Sequence, residues 1–323
     1  MSEFLNKIIC GDCIEVLSKV DGPFADLIFA DPPFNIGYKY DKYQDKVKSK
    51  KYIAWTKDWM SVCKKVLKPH GSFYIAIGDE YAANVKIIAD ELGLFMRNWI
   101  IWHYTFGQQT KDKFARAHTH IFYLVNDERH FTFNDHAVRV PSDRQLIYND
   151  RRANPIGKMP NDVWQEFSRV CGTFNEREGW HPCQMPENLL KRIIAVSSNP
   201  GDCVLDPFSG SGTTAAAAYQ LGRNYVGIEI SEQYVENALQ RLTDLKEQQI
   251  SPRTCAGGKP CPQVAGLINE VQRLSCDMKI PTKEIVADKK LLRLFTNQLA
   301  VRMNSRKRYS PQEIISALKD LGG

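Results

Sequence analysis

Two short strings in this chain combine residue types that could do chemistry. Asp31-Pro32-Pro33-Phe34 follows the apolar run Asp26-Leu27-Ile28-Phe29-Ala30. Some 175 positions later, Asp206-Pro207-Phe208-Ser209-Gly210-Ser211-Gly212-Thr213-Thr214 follows Cys203-Val204-Leu205. A buried strand that ends in an acidic residue delivers its last polar groups to the carboxyl edge of a parallel sheet, where open α/β folds bind ligands. In the first string the two prolines fix the backbone, so Asp31 becomes a rigidly held acceptor. In the second, Gly210 and Gly212 lack a β-carbon and admit close backbone approach. The run Ala215–Ala218 then starts a helix whose first amides are free donors. Together the strings predict one pocket with a ligand side and a chemistry side.

The elements that must position these residues are legible as apolar runs. Ile8-Ile9, Leu27–Phe29, Phe73–Ile77, Trp99–Trp102, His120–Val125, Val204-Leu205 and Tyr225–Ile230 read as seven strands. Helical patterns over 53–67, 81–92, 186–197 and 232–246 separate many of them, which predicts a mostly parallel sheet covered on both faces. Glu229 closes the strand after the glycine turn, about 20 residues on, where an acidic side chain can accept two ribose hydroxyls. Residues 131–180 are polar, proline-dotted and arginine-rich, and a segment this long inside a domain is normally functional; it reads as an insert over the pocket mouth. Residues 250–262 read as a linker and 263–323 as a small helical appendage behind a domain spanning 1–249. Ser310-Pro311 is a good helix start there.

The motifs resemble those of S-adenosylmethionine-dependent DNA amino-methyltransferases over roughly residues 5–245. In that family D/N/S-P-P-Y/F/W is the catalytic tetrapeptide, here Asp31, Pro32, Pro33 and Phe34, and F-x-G-x-G is the cofactor loop, here Phe208 to Gly212. With the catalytic motif first, the order is similar to the circularly permuted beta group, whose target-recognition region lies between the two. The resemblance implies a Rossmann-like fold with an antiparallel edge hairpin from Trp99–Trp102 and His120–Val125. It places S-adenosylmethionine against Asp12, Asp206, Phe208, Ser209, Gly210, Ser211, Gly212, Thr213, Thr214 and Glu229, with His181 and Gln184 at the methionine end. His181-Pro182-Cys183-Gln184-Met185-Pro186 departs from the family's H-P-x-Q-K-P, with Met185 where lysine is usual.

An exocyclic amine is a poor nucleophile because its lone pair is delocalised into the ring. Asp31 and the Pro32 carbonyl are the expected acceptors for its two hydrogens, stabilising the charge that develops, and Phe34 is expected to stack on a flipped base. An initial aspartate usually accompanies adenine N6, so the reading is site-specific adenine-N6 methylation of duplex DNA. N4-cytosine methylation, methylation of RNA or of a protein glutamine, and a non-catalytic DNA-binding protein with a degenerate core are the rivals. Arg139, Arg144, Arg151, Arg152 and Lys158, with Arg169 and Arg177, lie in the insert beside Tyr148, Trp164 and Phe174, a mixture suited to base-edge and phosphate contacts.

Composition sets the bounds. At 323 residues the chain can bury one large core and carry a modest appendage. Hydrophobic residues make up 43% and charged residues 25%, ordinary for a globular protein. No run of about 18 apolar residues and no signal-peptide pattern occurs, so no membrane partner and a cytoplasmic, nucleoid-associated setting are expected. Nine cysteines without a secretion signal favour free thiols, and Cys10-x-x-Cys13 lacks a second ligand pair, so no metal is expected. The net charge of +6 is uneven: ten lysines face three acidic residues between Lys39 and Lys68, and nine basic residues face two acidic ones from Lys279 to Arg308. Such clusters suit phosphate contacts. A homodimer and a companion restriction endonuclease stay open as partners beside duplex DNA.

Overall fold

The computed structural model describes residues 4–43, 45–108, 110–172, 176–250, 262–304 and 309–321. The first half of the chain alternates strand and helix: β1 (Lys7–Cys10), α1 (Cys13–Ser18), β2 (Ala25–Ala30), α2 (Ser49–Val66), β3 (Leu67–Ile77), α3 (Asp79–Glu91), then β4 (Phe95–Gln108) and β5 (Arg116–Val125). The insert contributes a one-turn α4 (Asp143–Leu146) and a short β6 (Val163–Trp164). The alternation resumes with α5 (Glu187–Ser197), β7 (Cys203–Asp206), α6 (Thr213–Gln220), β8 (Asn224–Glu229) and α7 (Glu232–Ile250). Four helices finish the chain: α8 (Pro262–Met278), α9 (Thr282–Ala287), α10 (Lys289–Met303) and α11 (Pro311–Leu321). Phe174, residues 251–261 of the expected linker with Cys255 and Cys261, and the end of the second basic cluster lie outside the described residues.

All strands join one sheet in the order β1-β8-β7-β2-β3-β5-β4-β6. β5 is antiparallel to both neighbours, and every other pairing is parallel. The seven expected strands are all present. The sheet has eight because Val163-Trp164, too short to show a period-2 pattern, pairs with Ile101-Trp102. The β4–β5 hairpin is therefore near the edge rather than at it.

β2 is buried along its whole length, as a central parallel strand with both faces covered should be. On one face α2 and α3 pack Tyr52, Trp59, Met60 and Val85 over Phe73, Ile75 and Ile28. On the other, α5 and α6 pack Leu189, Ile193 and the alanine run over Leu27, Phe29 and Val204. The polyalanine run suits α6 because small side chains let it lie close to the sheet.

One carboxylate fastens three strands at their amino ends. Asp26, 4% exposed, accepts from the Cys203 amide of β7 at 2.8 Å. It also accepts from Lys68 Nζ at 2.8 Å and pairs with His70 Nε2 at 3.0 Å, both on β3. Burial alone would raise its pKa, but these hydrogen bonds outweigh burial and hold it below the ordinary carboxylate value. A depressed pKa means that the contribution is present above the unfolded carboxylate range and is lost as pH falls through it. We predict that Asp26→Ala lowers unfolding stability at pH 7 by about 3 kcal/mol, with the difference from wild type shrinking below pH 4. Denaturant melts across that pH range check both parts.

Candidate active site

The side chains expected to act converge where the sheet's connections diverge. β2 and β7 are neighbours, with Leu27 opposite Val204 and Ile28 opposite Leu205, so Asp31 and Asp206 emerge side by side at the carboxyl edge. β2 leads away through α2 to β3, and β7 leads the opposite way through α6 to β8. The crevice left at such a switch point is the ligand site of open α/β sheets. Here it is a cleft of about 1000 Å³ including its mouth, at the upper end of small-molecule sites.

Asp12, Asp31, Asp206, Phe208, Ser209, Gly210, Ser211, Thr213, Thr214, Glu229 and His181 all line this cleft. Most of its carboxylates are already engaged. Asp12 caps α1 by accepting from the Ile14 and Glu15 amides. Asp206 accepts from the Phe208 amide at 3.0 Å and from the Thr214 hydroxyl. Glu229 accepts from the Gly210 amide at 2.8 Å and the Ser231 amide at 3.0 Å, so it shapes the glycine loop. Burial pushes Asp206 up to about 7 and raises Glu229 against those hydrogen bonds. Asp31 is pushed to about 8 by burial and then by the charge of Asp206, against a smaller lowering by Arg169. No hydrogen bond contributes to that shift, so Asp31 is the carboxylate left for a ligand.

His181 is pushed down to about 4 by burial, so it is neutral near pH 7. Its Nδ1 accepts from the Cys183 amide at 3.3 Å, which leaves the proton on Nε2. That nitrogen faces Gly210, where a β-carbon would lie 2.7 Å from it. Gly210 (φ +46°) and Gly212 (φ +70°) both occupy the left-handed region, and a β-carbon at Gly212 would meet Ala238 of α7 at 2.9 Å.

Five expected residues stand elsewhere than anticipated. Gln184 is buried and spends its amide on the loop, accepting from the Glu178 amide at 2.8 Å and donating to the Glu176 carbonyl at 2.7 Å. It is the brace, and His181 is the cleft residue. Gly212 is the N-cap of α6 rather than a lining residue. Pro32 and Phe34 also do not line the cleft. The chain turns after Pro33, Tyr52 donates to the Pro33 carbonyl at 2.6 Å, and the Phe34 ring packs toward Gly78, whose missing β-carbon makes room. In the insert, Arg139 pairs with Asp135 at 2.7 Å and donates to the Gly157 carbonyl at 3.2 Å, so it is an internal strut.

Arg144 and Arg151 are exposed, and Arg152, 85% exposed, pairs with Asp150. Lys158 pairs with Asp143 at 3.2 Å.

Sequence reasoning missed Tyr40, Asp41, Tyr43, Trp55 and Tyr234, which complete the lining. Trp55 is on α2 and Tyr234 on α7; the loop that carries Tyr40, Asp41 and Tyr43 has no periodicity. It folds around buried Asp45, which accepts from the amides of Asn35, Ile36 and Tyr38 at 2.6–3.2 Å. Trp55 and Trp59 meet the Phe208 ring at 5.7 and 5.2 Å. The one detectable signal was the 3.6-period spacing of Tyr52, Trp55 and Trp59.

Comparison with known proteins settles the family. Residues 25–240 match the family model N6_N4_Mtase, described as DNA methylase. The chain belongs to the N6/N4 DNA methylase family. It is 41% identical over 245 residues to the DNA adenine methyltransferase YhdJ of Escherichia coli (strain K12), covering 73% of this chain and 82% of that protein. It is 38% identical over 237 residues to the type II methyltransferase M.HpaI of Haemophilus parainfluenzae, covering 73% and 74%. Among solved structures, M1.HpyAVI in complex with SAM matches with TM-score 0.53 at 22% identity, over 73% of this chain and 98% of that one. The cytosine-N4-specific PvuII DNA methyltransferase matches with TM-score 0.54 at 20% identity, over 74% and 90%. These two likenesses concern the fold.

The cradle at Gly210 makes a direct prediction. Gly210→Ala forces a β-carbon onto His181 in a backbone region that L residues avoid. Ligand binding in the cleft should fall at least about tenfold while the fold survives, which calorimetric titration beside a far-ultraviolet spectrum will check.

Proposed function

We propose that this member of the family transfers a methyl group from S-adenosylmethionine to the N6 amine of a flipped adenine in duplex DNA. The observation that carries the reading is the delivery of Asp31, free of hydrogen-bond partners in its own loop, to the cleft edge beside the glycine cradle. The first aspartate of the tetrapeptide and the likeness to YhdJ, whose name specifies adenine, favour adenine over cytosine.

The chain's own residues fit such a donor. Among the described residues the cleft is lined by Asp12, Asp31, Asp41, Asp206 and Glu229 against the single cation Lys42, which suits a positively charged ligand and opposes a phosphate-bearing one. Among the described residues no side chain caps α6, so its first amides remain available to a carboxylate. When bound, the donor supplies an electrophilic methyl. Asp31 accepts a hydrogen bond from the amine, localising its lone pair, and receives or relays the proton shed after transfer. Phe34 and Tyr52 hold the proline corner from behind, and Tyr40, whose hydroxyl is raised by burial, Cys183 and Asp31, offers the aromatic face beside the acceptor.

No helix among the described residues is long and apolar enough to cross a membrane. Duplex DNA as substrate and a nucleoid setting follow from the same reading. M.HpaI and M.BglII carry "type II methyltransferase" in their names, which supports a companion restriction endonuclease.

Nucleoside mass spectrometry of DNA methylated by the purified chain should find N6-methyladenine; N4-methylcytosine in its place would overturn the base assignment. Asp31→Ala should reduce kcat by at least about 10³-fold with donor affinity within a few-fold of wild type; unchanged turnover would remove Asp31 from the chemistry. Because Asp31 and Asp206 carry raised pKa values of about 8 and 7, a cationic donor binds with proton release. Its affinity should therefore rise between pH 6 and 8, with the slope reduced in Asp31→Asn. Calorimetry in two buffers of different ionisation enthalpy reads the released proton.

A further inference from the structure

The family match ends at residue 240, and α8–α11 lie beyond it. These helices close their own core around Val271, Leu274, Phe295, Leu299 and Leu318, and Leu146 of the insert packs against it. The rest of the joint is polar and ionic. Arg302, with its side chain fully buried, pairs with Asp277 at 2.6 Å. It donates from Nε to the Arg139 carbonyl at 2.8 Å and from Nη2 to the Val138 carbonyl at 3.1 Å. Arg273 donates to the Ala137 carbonyl at 2.8 Å and pairs with Glu270 at 2.6 Å. Gln298 donates to the Ile156 carbonyl at 3.3 Å. The other oxygen of Asp277 takes Arg192 of α5 at 2.7 Å, and α5 begins next to the His181–Pro186 loop at the cleft.

The Arg302, Arg273 and Gln298 contacts fall on main chain at the stem of one loop, and Leu146 within that loop adds its side chain to the helical core and its carbonyl to Lys290 Nζ at 3.2 Å. Val140 and Lys158 close that loop by pairing their backbones at 2.9 and 2.8 Å. Beyond Leu146 the tip is exposed: Ile147 is 68% and Tyr148 73% exposed, and Arg144, Arg151 and the Asp150-paired Arg152 are exposed beside them. A buried ionic joint is a poor source of stability, because desolvating the charges offsets much of their attraction. A planar guanidinium fork bound to two consecutive carbonyls does, however, fix position and orientation in a way that apolar packing does not.

We propose that α8–α11 act as a clamp that sets the register of the 141–157 loop on DNA, making Arg302, Arg273 and Gln298 positioning residues for sequence selectivity. This rests on the DNA-methylating function proposed above. The clamp touches neither the donor cleft nor the base, so its loss should spare donor binding and the methyl-transfer step while loosening recognition.

The test uses the full chain as wild type, Arg302→Lys and Gln298→Ala, each expressed in a host lacking DNA methylation. Modified-base sequencing gives the methylated motif and its leakage to sites differing by one base. The purified proteins give melting temperature, S-adenosylmethionine affinity, and KM and kcat on a duplex containing the motif. Arg302→Lys keeps a charge for Asp277 and loses the fork. It should raise KM for DNA about tenfold and leakage several-fold, with kcat and donor affinity within about twofold. Gln298→Ala, away from the ion cluster, should shift the same quantities less. A folded Arg302→Lys with wild-type KM and motif fidelity overturns the clamp, as does equal loss of donor binding and recognition. Should Arg302→Lys fail to fold, unchanged KM and fidelity in Gln298→Ala overturn it instead. Absence of N6-methyladenine with the wild-type chain overturns the function, and the selectivity role with it.

Discussion

The geometry of this protein depends on how three strands are fastened at their amino ends. Asp26 on β2 gathers the Cys203 amide of β7 and the Lys68 and His70 side chains of β3 on one buried carboxylate. Side chains of a strand alternate between faces, so a slip of one residue would turn Asp31 or Asp206 out of the crevice. Fixing register at one end of β2 and β7 therefore fixes which groups arrive at the other. Residues far apart in sequence become neighbours without any direct bond between the two motifs. The helices leaving in opposite directions then open the cleft between them.

Burying several carboxylates around one cleft is costly unless each finds donors. The chain meets that demand selectively. Glu229 and Asp206 take backbone amides of the glycine loop, and Asp12 takes those of α1. Asp31 is left to be held by prolines rather than by hydrogen bonds, and burial and the neighbouring Asp206 raise its pKa. The satisfied carboxylates are architecture, and the unsatisfied one is the group on which the proposed chemistry rests. The same division explains the glycine cradle, whose shape depends on the hydrogen bonds that Glu229 and Asp206 accept from the loop.

How much of this was legible in the sequence follows from the range of the interactions involved. The seven longer strands, the two acidic corners, Glu229 and the glycine turn were legible because each rests on local composition or on strand-end placement. β6 was not, since two residues carry no period. Tyr40 and Asp41 were not, since their loop is folded by Asp45 through backbone amides that any sequence would offer. Arg139 looked like a DNA contact because charge alone was counted; Asp135 four residues before it was the readable sign of an internal pair. Phe34 and Gln184 turn their side chains away from the cleft, because side-chain direction after a proline corner or inside a loop is set by tertiary room, here the space over Gly78, the Glu176 carbonyl and the Glu178 amide.

The core described here is shared, at 20–22% identity, with solved methyltransferases whose chains it covers almost completely, one of them specific for a different base. A scaffold common to different targets cannot itself encode which sequence is read. Under the function proposed above, that information lies in the insert and in whatever holds it in place. In this chain the 141–157 loop has an exposed tyrosine and arginine tip, and its stem is held through main-chain carbonyls together with the Leu146 side chain packed into the helical core. The clamp proposed above separates the position of this loop from the content of its exposed tip. The tip can vary while its stem stays in place, provided Arg302, Asp277 and Arg192 continue to tie the stem to α5, which begins beside the His181–Pro186 loop.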